Sequence, residues 1–260
     1  MTHVDYGNWV RRKTLIGLGA GAVAATGLSL LPLGTGYRVA LAGVGMALGA
    51  SLVVPLYAYV TFSQRGGRFQ ERLYGLVADA VSPVGAGRIL DIGAGNGMLA
   101  VLLAQCQPTA TIVGVDTWGP TWEYAAATCA RNARLAGVDD RVTFRDGDAA
   151  RLPFADGVFD AVVSNLTFHE VTAVADKPAL IAEALRVLKP GGAFVFVDPF
   201  YDVKLYGPSA TIEHRFRALG AEEVVLQPLT TIMPVPVVLR HPRALGRAAL
   251  MTGRKAPAIG

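Results

Sequence analysis

Cysteine is scarce in this 260-residue chain, with only Cys106 and Cys129 present. They lie without metal-ligand spacing and without a neighbouring histidine, which speaks against a disulfide framework or a cysteine-based metal site and leaves two reduced thiols. Charge is scarce as well: charged residues are 17% of the chain against 52% hydrophobic, and the mean hydropathy is +0.39. That balance is too apolar for a wholly soluble domain and calls for a buried or membrane-inserted portion. The net charge is +4, but its lysines and arginines are spread out and many flank apolar stretches. A juxtamembrane role accounts for them better than a nucleic-acid footprint. Internal repeats and low-complexity tracts are lacking too.

What is present at the start is apolar length. Thr14 to Leu33 and Val39 to Phe62 are uncharged runs of about 20 and 24 residues, each enough to cross roughly 30 Å of hydrocarbon as a helix. Only Gly34-Thr35-Gly36-Tyr37-Arg38 separates them, so a tight turn and a helical hairpin are expected. Gly17, Gly19, Gly21, Gly43, Gly45 and Gly49 are small enough to let the two helices approach closely. Arg11, Arg12 and Lys13 precede the hairpin and Arg65, Arg68 and Arg72 follow it, against Arg38 alone in the turn. The positive-inside rule then puts both ends on the cytoplasmic side. A twin-arginine export signal at Arg11-Arg12 is one alternative, and it leaves the second run unexplained. Two core helices of a soluble fold are another, and the runs are too glycine-rich and too poor in polar face for that. The expected division is an anchor over residues 1–65 and a second domain over 66–260.

From Arg68 the pattern changes. Arg68 to Val81 reads as an amphipathic helix. Strands are then expected at Arg88 to Ile92, Thr111 to Val115, Val142 to Phe144, Phe159 to Ser164 and Phe194 to Val197. Helices fall between them near Met98 to Gln105, Thr121 to Ala136 and Lys177 to Leu188. Alternation at this spacing predicts an α/β fold with a doubly wound parallel sheet. Glu222 to Leu226 and Ala249 to Lys255 supply a sixth and a last strand.

Ile89-Leu90-Asp91-Ile92-Gly93-Ala94-Gly95-Asn96-Gly97 is an apolar strand entering a glycine-rich turn that opens a helix. Glycine is needed where backbone turns tightly and lets a ligand touch its amides. A dinucleotide fingerprint requires a third glycine where Met98 stands, so that motif fails. About 25 residues after Asp91, Asp116 ends the second strand, where a carboxylate accepts hydrogen bonds from ribose hydroxyls. Phe144-Arg145-Asp146-Gly147-Asp148-Ala149 follows the third strand. Leu152-Pro153-Phe154-Ala155-Asp156-Gly157-Val158-Phe159-Asp160 leads into the fourth, and Ala184-Leu185-Arg186-Val187-Leu188-Lys189-Pro190-Gly191-Gly192 into the fifth. In order and spacing these blocks, over about Arg68 to Asp198, resemble the class I S-adenosylmethionine-dependent methyltransferases, and among them the small-molecule branch with the ubiquinone and menaquinone enzymes.

The resemblance implies a Rossmann-like sheet of seven strands, the last antiparallel, with S-adenosylmethionine as cofactor and no metal. It assigns cofactor contacts to Asp91, Gly93, Ala94, Gly95 and Gly97, to Asp116 with Thr117 and Trp118, to Asp148 and Ala149, and to Asn165. Taken as residues alone, Asp148 has a helix N-cap as its alternative, and Gly191-Gly192 reads as a helix stop. Nucleic acid is not an expected substrate, because neither Asn-Pro-Pro-Tyr nor Pro-Cys follows the fourth strand. With a hairpin attached, the expected acceptor is a small molecule that partitions into membrane, lipid-like or quinone-like. A membrane-tethered nucleoside-binding or scaffold protein without catalysis is the alternative.

Methyl transfer from a sulfonium is an in-line displacement, so positioning and water exclusion matter more than a dedicated base. Ser164-Asn165-Leu166-Thr167-Phe168-His169-Glu170 follows the fourth strand, where such an acceptor would lie. His169 is expected to orient or deprotonate it, with Glu170 as orienting partner. Asp198-Pro199 reads as a substrate contact or a plain strand end. Leu229 to Leu239, apolar and broken by prolines, is expected to shape an acceptor pocket or dip toward the bilayer, and Arg240, His241, Arg243 and Arg247 either meet headgroups or form a solvated face.

Overall fold

A computed structural model of the chain describes residues 4–81, 83–119 and 125–257. The chain divides into two compact units, Gly7–Glu71 on the one hand and Met1–Tyr6 with Arg72–Gly260 on the other.

In the first unit α1 (Arg12–Ser29) and α2 (Thr35–Phe62) lie antiparallel. The turn comes earlier in the chain than the sequence suggested, because Pro32 has no N–H to give a helix and disfavours helical backbone at Leu31. Leu30 to Leu33 therefore leave the helix, and α2 takes up Thr35 to Arg38 as its first turn. Arg38 acts as a cap, its Nε donating to the terminal carbonyl of Ser29 at 3.0 Å, one of the acceptors that every helix end leaves over. The 18 residues of α1 include Arg12 and Lys13, so its uncharged part is about 24 Å long at 1.5 Å per residue. That falls short of the expected crossing. Among the described residues α2 alone is long and apolar enough to span a membrane, and Val39, Met46 and Val53 stand exposed along it. The glycines divide by face. A Cβ on Gly45 would lie 2.4 Å from Thr26 Oγ1 and one on Gly21 3.1 Å from Leu48, whereas Gly17, Gly43 and Gly49 meet nothing. Only the former group permits close approach of the helices.

The second unit holds a seven-stranded sheet in the order β3-β2-β1-β4-β5-β7-β6. Its strands are β1 (Arg88–Ile92), β2 (Thr111–Asp116), β3 (Val142–Asp146), β4 (Phe159–Asn165), β5 (Leu188–Asp198), β6 (Ala221–Pro228) and β7 (Ala249–Lys255). The central strands are continuous apolar runs because helices cover both faces. β1 to β5 pair in parallel, and β7 is antiparallel to both β5 and β6. The doubly wound α/β reading therefore holds. After α3 (Phe69–Ala80), helices α4 (Met98–Cys106), α5 (Ala126–Leu135) and α6 (Pro178–Val187) connect the strands, and α7 (Val203–Tyr206) and α8 (Ser209–Ala218) follow β5. Thr121 to Tyr124, expected at the start of the helix before β3, lie outside the described residues.

One boundary is corrected by the structure. α6 ends at Val187, and Gly191-Gly192 belongs to β5, where the register jumps from Phe159↔Leu188 to Ala161↔Ala193. Residues 189–192 bulge out of the ladder, with Gly191 at φ 74°, so the glycine pair bends a strand rather than stopping a helix. Beneath the sheet, Phe159, Phe168, Phe194, Phe196, Phe200, Tyr206 and Phe216 share one buried core with Leu180, Ile181 and Leu185 of α6. Between β1 and β4 the chain order reverses, which opens a crevice at the carboxyl ends of the strands.

Candidate active site

β1 brings Asp91 to that crevice and then turns through Gly93, Gly95 and Gly97, at φ 79°, 56° and 82°. Left-handed backbone is one reason for glycine here, and space is the other. A Cβ on Gly93 would begin 2.0 Å from Thr167 Oγ1, and one on Gly97 2.9 Å from the Phe144 ring. Gly93 and Ala94 both donate their N–H to Val115 O, at 2.8 and 3.1 Å, which ties the turn to β2.

Asp116 ends β2 beside this turn. Its Oδ2 accepts the Gly95 N–H and its Oδ1 the Trp118 N–H, both at 2.9 Å. A carboxylate offers about four lone-pair sites, so room is left for further donors. The Trp118 indole leans across the turn and donates Nε1–H to Gly95 O at 2.8 Å, and the Cys129 thiol reaches the same carbonyl at 3.0 Å. Burial pushes that thiol up to about 12, so Cys129 is inert. Thr117 is exposed between them. Asp148, after β3, is exposed and accepts the Ala150 N–H at 2.8 Å. It closes a turn instead of capping a helix, with half-buried Ala149 beside it.

Deeper in the crevice stand polar atoms with no partner. Asp91 is buried and its Oδ2 accepts nothing; Asn165 is 6% exposed and neither its Oδ1 nor its Nδ2 is bonded. Burial, reinforced by the charge of Asp116, pushes the Asp91 carboxyl up to about 8. Buried groups of this kind cost free energy unless something completes them. Two side chains at the rim hold φ values that non-glycine residues seldom adopt, Trp118 at 42° and Leu166 at 54°. Leu166 follows directly on β4 and Trp118 comes two residues after the end of β2. Strain of this sort persists where surrounding structure enforces it, and it gathers at ligand sites.

Past β4 the polar groups are instead fully engaged. His169 sits in a short 3-10 turn, Phe168–Glu170. Its Nδ1 lies 2.9 Å from Asp198 Oδ1, its backbone N–H donates to Asp198 Oδ2 at 3.1 Å, and its Nε2 lies 3.4 Å from Glu170 Oε1. The hydroxyl of Tyr206 donates to Asp198 Oδ2. Burial alone would lower the imidazole, but the Asp198 and Glu170 carboxylates outweigh it and push His169 up to about 10. Tyr206 is raised in turn, by burial first and then by Asp198, so it remains a neutral donor. Lys177 donates to the carbonyls of Val171 and Val174 at the foot of this cluster.

The structure thus brings Asp91, Gly93, Ala94, Gly95, Gly97, Asp116, Trp118 and Asn165 around one crevice, leaves Asp148 as a turn residue, and gives His169 a different orienting partner. Asp198 takes Nδ1, while Glu170 faces Nε2. Sheet order carried the signal for Asp198: Asn165 and Val197 are register partners, so the residues after them meet. Nothing in the sequence marked Tyr206. Leu229 to Leu239 leave the same edge, since Pro228, Ala249 and Asp198 are aligned across β6, β7 and β5. Leu229, Val235 and Leu239 are buried, whereas Val237 is 77% and Val238 43% exposed. Of the flanking cations, Arg247 pairs with Asp202 at 2.7 Å and Arg240 donates to Val235 O at 2.9 Å.

The family model of a methyltransferase domain matches residues 90–196. The chain is 42% identical over 132 residues to a malonyl-[acyl-carrier protein] O-methyltransferase of Geobacter sulfurreducens, over 50% of this chain and 44% of that protein. It is 39% identical over 111 residues to a demethylmenaquinone methyltransferase of Thermus thermophilus, over 43% of this chain and 46% of that one. The chain thus spans less than half the length of these relatives. In fold it is similar to a solved geranyl diphosphate methyltransferase in complex with S-adenosylmethionine, with a TM-score of 0.56 at 18% identity over 88% of this chain and 94% of the other.

Proposed function

We propose that this chain transfers the methyl group of S-adenosylmethionine to a small, hydrophobic or membrane-partitioned acceptor. The observation that carries the reading is a set of buried polar atoms that lack partners, Asp91 Oδ2 and both amide atoms of Asn165, beside a left-handed glycine turn. The residues fit the cofactor. Asp116, with lone pairs to spare, would hold the ribose; Asp91 would face the cationic amino-acid end; Asn165 would line the methyl side; Thr117, Trp118, Asp148 and Ala149 would border the adenine. When bound, the cofactor supplies an electrophilic methyl carbon on a sulfonium. The chain's own part is to orient it and keep water out.

The relatives acting on an acyl-carrier-protein malonyl group and on a quinone, the apolar α2 and the exposed valines of the 229–239 loop all support an apolar acceptor. In this reading residues 1–65 anchor the enzyme, α2 is one span, α1 makes the second span of the hairpin only with the apolar Leu30 to Leu33 that follow it, and the domain over 66–260 faces the cytoplasm. Incubating membranes containing the full chain with methyl-labelled S-adenosylmethionine should place label in a small-molecule or lipid fraction. Label in nucleic acid, or no affinity for the nucleoside by calorimetry, would overturn it.

One observation favours a second reading, a non-catalytic membrane-tethered nucleoside-binding or scaffold protein. Trp118 closes over Gly95 by a direct hydrogen bond, so the turn is satisfied without a ligand. Tight cofactor binding with no methylated product from any cell fraction would favour this alternative.

A further inference from the structure

Val4 to Tyr6 group with Arg72–Gly260 rather than with the helices they precede. They form an irregular arm, Val4 and Tyr6 half-buried and Asp5 exposed, and one side chain of α5 fixes it. Asn132, in the last turn of α5 and 1% exposed, accepts the Asp5 N–H on Oδ1 at 3.0 Å and donates from Nδ2 to Asp5 O at 2.8 Å. The side-chain amide thus pairs with the arm as a neighbouring strand would. The second hydrogen of Nδ2 goes to Asn96 O at 2.9 Å, in the glycine turn between Gly95 and Gly97. Both amide hydrogens are then in use, and turning the amide over would set its oxygen against two carbonyls. α5 holds the turn at a second carbonyl as well. Cys129, three residues before Asn132 and so on the same helix face, reaches Gly95 O at 3.0 Å. Asn96 Oδ1 in turn accepts the Ala125 N–H at 3.3 Å, at the start of α5. From the other side β2 holds the N–H groups, those of Gly93 and Ala94 on Val115 O and that of Gly95 on Asp116.

We propose that Asn132 is a positioning residue for the cofactor turn and that the arm at Asp5 is the strap that locks it, so that cofactor affinity depends on a piece of chain lying ahead of both apolar helices. This inference rests on the reading of the glycine turn as a cofactor site. With the arm docked, the carbonyls of Gly95 and Asn96 are drawn to α5 before a ligand arrives, and the turn is ordered in folding rather than in binding. With the arm released, Asn132 loses both bonds that fix its amide plane and is free to turn to water instead of Asn96 O. The ligand then has to order the turn itself, and affinity falls. By linkage the effect is reciprocal: a cofactor that binds better with the arm docked also holds the arm in place.

The test uses the full chain in detergent micelles and two variants. Asp5→Pro removes the N–H that Asn132 accepts without touching the turn, and Asn132→Ala removes all three bonds. Calorimetry with S-adenosylmethionine should show binding about fivefold weaker in Asp5→Pro and about tenfold or more weaker in Asn132→Ala, within the range of coupling between two sites. Hydrogen exchange supplies a readout that general loss of stability would not give. In Asp5→Pro the amides of residues 93–97 should exchange faster while those of β7 keep the wild-type rate, and S-adenosylmethionine should slow exchange over residues 4–8 of the wild type. Equal affinity in wild type and Asp5→Pro, or faster exchange spread evenly over the turn and β7, would overturn the proposal. If Asn132→Ala does not fold, Asp5→Pro decides alone. A wild type with no affinity for S-adenosylmethionine would instead sink the cofactor reading, and exchange of residues 93–97 in Asp5→Pro would still decide whether the arm holds the turn.

Discussion

The two sides of the crevice solve the problem of buried polar atoms in opposite ways. Around β1 and the start of the β4 loop, Asp91 and Asn165 hold atoms without partners; around the ends of β4 and β5, Asp198 accepts from three donors supplied by two residues. An orphaned buried acceptor costs about 1–3 kcal/mol and more when charged, so the first side is stable at a ligand's convenience and the second by itself. In the proposed function the cofactor completes the former. The latter is preorganised, and its geometry is not expected to change when a ligand binds.

Several changes should break this contrast. The largest effect is expected from Gly93→Val, which forces a side chain into Thr167 at a left-handed backbone position. Strain and overpacking each cost about 1–3 kcal/mol, and cofactor binding should vanish in calorimetry together with a clear fall in thermal midpoint. Asp116→Ala comes next. Loss of about 3 kcal/mol of charge-assisted hydrogen bonding to the ribose corresponds to a more than 100-fold weaker Kd, with Asp148→Ala far milder because that residue is exposed and turned to its own backbone.

Asp91 sharpens the contrast through pH. Its folded pKa of about 8 stands above the unfolded value near 3.8, so the folded state binds the extra proton. Stability therefore falls as pH rises from about 4 through 8, and cofactor affinity rises over its upper part as the carboxylate forms. Asp91→Asn should stabilise the empty protein at pH 8 and flatten the affinity profile between pH 6 and 9. An affinity that stayed level in the wild type would show that Asp91 does not meet a cation. His169 has the same direction of shift but is a base: its raised pKa gives stability that is complete below about 6.5 and is lost through about 10. The difference in thermal midpoint between wild type and His169→Gln should therefore shrink between pH 7 and 10. Arg38→Ala, far from the crevice, removes one cap at Ser29 and should cost less than about 1 kcal/mol.

Much of the crevice was legible in the chain itself. Apolar runs alternating with helical periodicity give the strand limits within a residue or two for β1, β2 and β7, because strands buried on both faces leave no choice of residue type. The glycines at 93, 95 and 97 declare their turn for the same local reason. Less was legible at the hairpin. There hydropathy marks apolar length but not helix ends, and Pro32 decided where α1 stops. Gly191-Gly192 was ambiguous because a bulge and a helix stop use the same glycines.

What the sequence determined by itself is therefore the sheet, its glycine turn and the acidic strand end at Asp116, all set by spacing along the chain. Only the tertiary structure decided that Asp198 reaches His169 while accepting from Tyr206, that Glu170 faces the other ring nitrogen, and that Asn165 stands unpartnered. The His169–Asp198 contact joins residues 29 positions apart, and the protonation of such groups follows from burial and from facing charges, which no stretch of sequence carries by itself.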